Sequence, residues 1–152
     1  MPDQYETRDV RESDIPVLAA IADETLFPGE MLGRMIAPAL AGESADVWRV
    51  ALHDCKPVGF AMAQLEPMTD RTWNLRAIAV QPELQGGGAG TALLVAMEAA
   101  MPARLIVIDT TQLPDQDRAR RFYAARGYAH ASTIPDFFGE GEDKVSFVKS
   151  VP

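Results

Sequence analysis

Apolar positions along the chain change their period twice. Residues 6–11 read as an edge strand. Ser13-Asp14 ahead of Pro16 then mark a helix start, with Ile15, Leu18, Ala19 and Ala22 as its apolar positions. From Pro28 to Ala41, Met31, Leu32, Met35, Ile36 and Leu40 keep a three-to-four spacing, which predicts a second amphipathic helix that Gly33 and Pro38 weaken. Between 46 and 80 the period becomes two. "VWRVALHD", a turn at 54–57 and "VGFAMAQLE" read as a hairpin, and "TWNLRAIAV" after "PMTDR" adds a third adjacent strand, completing an antiparallel meander. Beyond the glycine-rich "LQGGGAG" the helical period returns up to about Met101. "RLIVID" follows as a strand of buried type, then a helix across 116–126 that Gly127 stops. "AHASTI" and "KVSFVKS" are closing strands separated by the polar loop "PDFFGEGED". The expected fold class is α/β of the α+β kind: a mixed, mainly antiparallel sheet flanked by helices, with a strand-loop-helix unit at its centre. No internal repeat interrupts it, and 152 residues fit one domain over 1–152.

Charge and composition narrow the partners. A net charge of -8 disfavours a nucleic-acid or anionic-membrane surface, so neither is expected, and a polar or cationic small substrate suits it better. The start "MPDQYETRDVRESD" carries no basic segment followed by an apolar core, and no run of about eighteen apolar residues occurs, so a cytoplasmic location is expected. Cys55 is the only cysteine and His53 and His130 the only histidines, which supplies neither an internal disulfide nor a metal cage. His53 and Cys55 sit in the 54–57 turn region and read as turn residues.

The segment from 84 to 90 holds four of the eleven glycines. It lacks the Gly-Lys-Ser/Thr of a Walker loop, and the pattern G-x-G-x-x-G started at Gly86 or Gly88 ends on Thr91 or Leu93. What remains is physical. Glycines let the backbone take positive φ and approach a ligand, while a helix beginning near Gly88 offers unpaired N–H groups and a positive dipole end. Successive amides of Gly86, Gly87, Gly88, Ala89, Gly90 and Thr91 would bind a pyrophosphate through the main chain alone. A plain flexible connection is the alternative.

"IAVQPELQGGGAGTALL" resembles the acetyl-coenzyme A signature of the GNAT N-acetyltransferase superfamily: a strand ending in valine, a proline turn, then Arg/Gln-x-x-Gly-x-Gly/Ala opening a helix, here at Gln85, Gly88 and Gly90. "ARRFYAARGY" resembles the late helix of that superfamily, with its aromatic pair and terminal Gly-Tyr. The order of elements agrees with the GNAT fold over nearly the whole chain, residues 1–70 in layout more than in motif. Two departures stand out. Gly87 occupies the place of a common basic residue, and Gln116 that of an asparagine.

The resemblance implies acetyl-coenzyme A as acyl donor, with the main chain of Ile78, Ala79 and Val80 pairing with the pantetheine amides and Gln116 reaching the same arm. It also implies Tyr123 as the group that meets the departing sulfur. On reference values a phenol near pKa 10 and a thiol near 8.5 leave full proton transfer uphill by about 2 kcal/mol, so hydrogen bonding to the thiolate suffices. A proton acceptor for the amine is harder to place. "TWNLRAIAV" offers only Asn74 and Arg76, which leaves Glu66, acting through water, and Asp109. Arg76 reads as a clamp for a substrate carboxylate or as a surface cation. The loop "PDFFGEGEDK" edges the acceptor cleft in relatives and either attracts an amine or is a solvated loop pinned by Phe137 and Phe138. The function implied is direct acetyl transfer to a primary amine of a small-molecule acceptor. A non-catalytic acyl-coenzyme A-binding module is the rival, and exposed strand edges are compatible with a homodimer.

Overall fold

The computed structural model describes residues 4–152, so the first three residues of the domain expected over 1–152 lie outside the described residues. Its elements are β1 (Glu6–Asp9), α1 (Ile15–Thr25), α2 (Leu32–Leu40), β2 (Val47–His53), β3 (Lys56–Leu65), β4 (Thr72–Val80), α3 (Ala89–Ala100), β5 (Leu105–Thr110), α4 (Asp117–Ala125), β6 (Ala129–Gly139) and β7 (Glu142–Ser150). The seven strands order as β1-β2-β3-β4-β5-β7-β6. The β1–β2, β2–β3, β5–β7 and β6–β7 pairs are antiparallel and β4–β5 is parallel. This is the mixed, mainly antiparallel sheet with four α-helices that the pattern predicts.

Two compact units share the chain. The first takes residues 4–64 and Arg76–Pro102, the second Leu65–Leu75 and Ala103–Pro152. In the first, Leu18, Leu32, Ile36, Val50 and Phe60 are almost completely buried, and Trp48 stacks on Phe60 at 6.1 Å. The helix expected from Pro28 opens instead as a 3-10 turn over Gly29–Met31 before α2. That turn lies directly on α1: a Cβ at Gly29 would come within 2.1 Å of Ala19 O, and the Gly29 N–H donates to Asp23 Oδ1 at 2.6 Å. In the second unit, Ile106, Ile108, Val145 and Phe147 bury their side chains together with Tyr123 and Tyr128.

The loop expected over 135–143 is a correction. β6 runs on to Gly139 and β7 begins at Glu142, so the segment is the end of a long hairpin. Local hydrogen bonds explain what the composition hides. Asp136 takes a left-handed φ of 56°, its carboxylate accepts the Gly141 N–H at 2.9 Å, and its own N–H donates to Asp143 Oδ1 at 3.0 Å. Gln112 braces the tip, donating to Gly141 O at 2.8 Å and accepting the Asp143 N–H at 2.9 Å.

A tighter constraint acts on β3. A Cβ at Gly59 would stand 2.6 Å from Ala79 O, 3.2 Å from Leu93 Cδ1 and 3.3 Å from Val80 Cα. The β3 backbone therefore lies against the end of β4 and the first turns of α3 with no room for a methyl group. Gly59→Ala is expected to destabilise the protein by about 1–3 kcal/mol, the usual cost of overpacking, as measured by urea unfolding. An unchanged midpoint would show that this approach is slack.

Candidate active site

The loop after β4 is built from short backbone contacts. The Gln81 N–H bonds back to Val58 O at 2.8 Å, Pro82–Leu84 form a 3-10 turn, and Gln85 Nε2 donates to Val80 O at 3.2 Å. Gln85 is thus a brace that ties the loop to the strand it leaves. Gly86 and Gly88 both take positive φ, 86° and 105°, and Gly88 is the N-cap of α3. Gly88 has no side chain with which to cap the helix, and the Ala92 N–H donates to Gly88 O at 3.0 Å. The amides of Gly88, Ala89, Gly90 and Thr91 consequently have no partner within the helix. Gly87 differs from its neighbours: its N–H donates to Leu84 O at 3.2 Å, and a Cβ there would lie 3.1 Å from the Tyr5 hydroxyl. Its role is to hold the turn closed.

A helix start whose N-cap is a glycine, behind two left-handed glycines, suits a phosphate oxyanion, because the donors and the helix dipole come from the backbone. Burial of Ala89, Ala92, Leu93, Leu94 and Met97 fixes the direction in which those amides point. Ile78 is half-buried, while Ala79 and Val80 are buried at the end of β4. All of these residues fall in the first unit.

The second unit holds the other candidates. Tyr123 lies on α4 and is 6% exposed, its ring against Tyr128 (6.3 Å), Phe147 (6.2 Å) and Phe122 (5.6 Å). Burial pushes its phenol up to about 12. Gly127, at φ 93°, ends α4, and the Tyr128 N–H closes the turn on Tyr123 O at 3.1 Å. Gln116 is the N-cap of α4, and its Oε1 accepts from Thr110 Oγ1 at 3.3 Å. Thr110, which the sequence does not single out, thereby ties Gln116 to the end of β5.

Glu66 and Asp109 meet through Asn74. One amide nitrogen, Asn74 Nδ2, donates to Glu66 Oε1 at 3.2 Å and to Asp109 Oδ2 at 3.1 Å. Asp109 also accepts from Ser146 Oγ at 2.6 Å and has Lys144 Nζ at 3.8 Å. Asn74 and Ser146 are buried, and Lys144 in turn sits 4.5 Å from the ring centroid of Phe137. Arg76 donates to Gln64 Oε1 at 3.0 Å in the first unit. Neighbouring residues of a strand point to opposite faces. Ser146, touching Asp109, and Phe147, touching Tyr123, therefore place the Glu66–Asn74–Asp109 cluster and Tyr123 on opposite sides of β7.

The sequence profile described as the Acetyltransferase (GNAT) family matches residues 16–128. An uncharacterised N-acetyltransferase of Methanocaldococcus jannaschii is 29% identical over 110 residues, covering 68% of this chain and 65% of that protein. The match thus spans slightly less than two thirds of that relative's length. A GNAT-family protein of Desulfovibrio desulfuricans superposes with a TM-score of 0.88 at 24% identity, covering 97% of this chain and 99% of the other. An aminoglycoside 6'-N-acetyltransferase crystallised with coenzyme A gives 0.79 at 16% identity, covering 97% and 98%. At these identities the two structural likenesses concern the fold.

The buried phenol makes a statement about stability. Tyr123 holds its proton more tightly in the folded chain than in the unfolded one, where its pKa is near 10, so its contribution is intact below pH 10 and is lost as pH rises toward 12. Two units amount to roughly 3 kcal/mol. Wild type is expected to lose about 2 kcal/mol more unfolding free energy than Tyr123→Phe between pH 10 and 12, since the midpoints themselves lie at those limits. Equal losses would show that the native hydroxyl is not desolvated.

Proposed function

Because the chain belongs to the acetyltransferase (GNAT) family, we propose that it is an acetyl-coenzyme A-dependent N-acetyltransferase, a single domain over residues 1–152 that acetylates a primary amine of a small molecule directly, in the cytoplasm. The observation that carries this reading is the start of α3, with four amides uncapped behind the left-handed Gly88. Gly88, Ala89, Gly90 and Thr91 hold the pyrophosphate of the donor, with Gly86 shaping the turn and Gln85 and Gly87 bracing it. Ile78, Ala79 and Val80 offer main-chain groups to the pantetheine arm, as an added strand would, and Gln116 offers its amide. Acetyl-coenzyme A supplies an activated thioester carbonyl and a thiol leaving group.

Tyr123 serves the leaving sulfur. A phenol near 12 against a thiol near 8.5 makes full proton transfer uphill by about 3.5 units, or roughly 5 kcal/mol. Tyr123 therefore stays protonated and donates a hydrogen bond to the developing thiolate. Glu66 serves the amine. An alkyl ammonium must lose a proton before attack, and Glu66, oriented by Asn74, accepts it through water. The amine's proton goes to Glu66 while the Tyr123 hydroxyl only hydrogen-bonds the departing sulfur, so the two groups do not compete for one proton. An acyl-coenzyme A-binding module without catalysis is the second reading, favoured by a single observation: β4 carries Asn74 where a carboxylate would be the stronger proton acceptor.

Thiol release from acetyl-coenzyme A in the presence of a panel of amines separates the two. The enzyme releases thiol in an amine-dependent way, whereas a binder shows affinity without turnover. Tyr123→Phe is expected to lower turnover roughly ten- to a thousand-fold, the usual scale of acid catalysis, with coenzyme A affinity nearly unchanged; unchanged turnover removes Tyr123 from the reaction. Gly88→Val is expected to do the reverse, weakening coenzyme A binding by about tenfold or more, since a charge-assisted hydrogen bond is worth roughly 1.5–3 kcal/mol. Unaltered affinity in a folded Gly88→Val protein would place the pyrophosphate elsewhere.

A further inference from the structure

The face of the second unit that carries Glu66 already holds an ammonium of the protein's own. Lys144 lies on β7 two residues before Ser146, so both side chains point to the face on which Ser146 meets Asp109. The Lys144 Nζ stands 3.8 Å from Asp109 Oδ2 and 4.5 Å from the ring centroid of Phe137. A carboxylate on one side and an aromatic face on the other are groups that hold alkylammonium ions in general. Lys144 is thus a resident cation in a seat with the chemistry that an amine substrate requires.

One side chain joins that seat to Glu66. Asn74 Nδ2 donates to Glu66 Oε1 at 3.2 Å and to Asp109 Oδ2 at 3.1 Å, which keeps the two carboxylate oxygens within about 6 Å of each other. Ser146 Oγ, 2.6 Å from Oδ1, fixes the Asp109 carboxylate from its other side. All of these residues belong to the second unit. An extended four-carbon diamine has its nitrogens about as far apart as these oxygens. With one nitrogen at Glu66, the other would come to Asp109.

Charge, not hydrogen bonding, keeps Lys144 there. At 3.8 Å its ammonium is beyond hydrogen-bond distance of Oδ2, and its side chain is 24% exposed, so the seat is open to solvent. A free ammonium can make a shorter bond to Asp109 than Lys144 does. It must first displace a tethered competitor, whose local concentration is of roughly millimolar order, and approach a like charge. Asp109 does not depend on this cation for its hydrogen bonds, because Asn74 and Ser146 supply one to each oxygen. Resting on the role given to Glu66 in receiving the acceptor's proton, we propose that Lys144 is the specificity-determining residue for the acceptor. Its ammonium fills the seat that the second nitrogen of a short diamine needs, which restricts the acceptor to amines with no second cation close by.

Butylamine and the matching diamine, with an amino group at each end of the same four-carbon chain, test this on the full-length protein. Two readouts are followed. The side-chain amide resonance of Asn74 reports binding at the carboxylates without any turnover, and thiol release from acetyl-coenzyme A reports transfer. The wild type and Lys144→Arg, which keeps the charge, are expected to bind butylamine at least as tightly as the diamine. Lys144→Met keeps the length of the side chain and removes its charge. It is expected to move the ratio of affinities about tenfold toward the diamine, the scale of a cation–π contact added to a partly exposed ion pair, with kcat/KM moving in the same sense. Phe137→Leu in the Lys144→Met protein is expected to take back part of that gain. A wild type that binds the diamine more tightly than butylamine, a Lys144→Met protein with the wild-type ratio, or an Asn74 resonance that neither amine moves would each overturn the proposal. The expected affinities without thiol release from either amine would support the role of Lys144 and count instead against acetyl transfer.

Discussion

A backbone turn that only glycine takes without strain is the constraint on which the rest of this site depends. Gly88 holds φ at 105°, so the chain can leave the turn after β4 and enter α3 with no side chain folded over the first amides. Everything around it fixes where those amides point. Gly59 lets β3 lie against Ala79 and Val80, Gln85 clips the loop to Val80 O, and the buried face of α3 locks the helix direction. The arrangement contains no cation, since residues 81–91 include no lysine or arginine. Oriented N–H groups and a helix dipole are the only positive potential this segment supplies, which is why a misplaced backbone would matter more here than a changed side chain.

The chemistry of the second unit separates by solvation. Tyr123 is packed among aromatic rings, and desolvation alone raises its phenol, which keeps the hydroxyl a donor at every physiological pH. Across β7, Glu66 and Asp109 keep polar company through Asn74, Ser146 and Lys144. One buried amide, Asn74, bridges the two carboxylates and orients both. The apolar surroundings of Tyr123 hold its proton, and the donor role proposed for it rests on that burial.

Local signals were legible in the chain before its structure. The change of period from 3.6 to 2 and back located ten of the eleven regular elements to within a few residues, and the glycines at 86 and 88 marked the left-handed turn because no other residue adopts it readily. Tyr123 stands out in the sequence only through the resemblance of "ARRFYAARGY" to the late GNAT helix, since an aromatic at helical spacing alone reads as core. The failures share a cause. Phe137-Phe138-Gly139-Glu140-Gly141 has the composition of a loop, and only the bonds of Asp136 with Gly141 and Asp143, and the brace from Gln112 some thirty residues away, turn it into a hairpin. Asn74, Asp109 and Ser146 come from three strands, separated by 35 and 37 residues, and no spacing along one element announces that they meet. Thr110 carries no signal in the sequence for the same reason, since its hydroxyl matters only where β5 reaches the start of α4.

In the proposed function the main chain at the start of α3 holds the pyrophosphate of the donor. Titrating isotopically labelled protein with coenzyme A and, separately, with pantetheine, which lacks the pyrophosphate, while following backbone amide resonances tests it most directly. The amides of Gly88, Ala89, Gly90 and Thr91 are expected to shift downfield with coenzyme A and to stay nearly still with pantetheine. Amides that are unmoved by coenzyme A, or that move equally with both ligands, would contradict it.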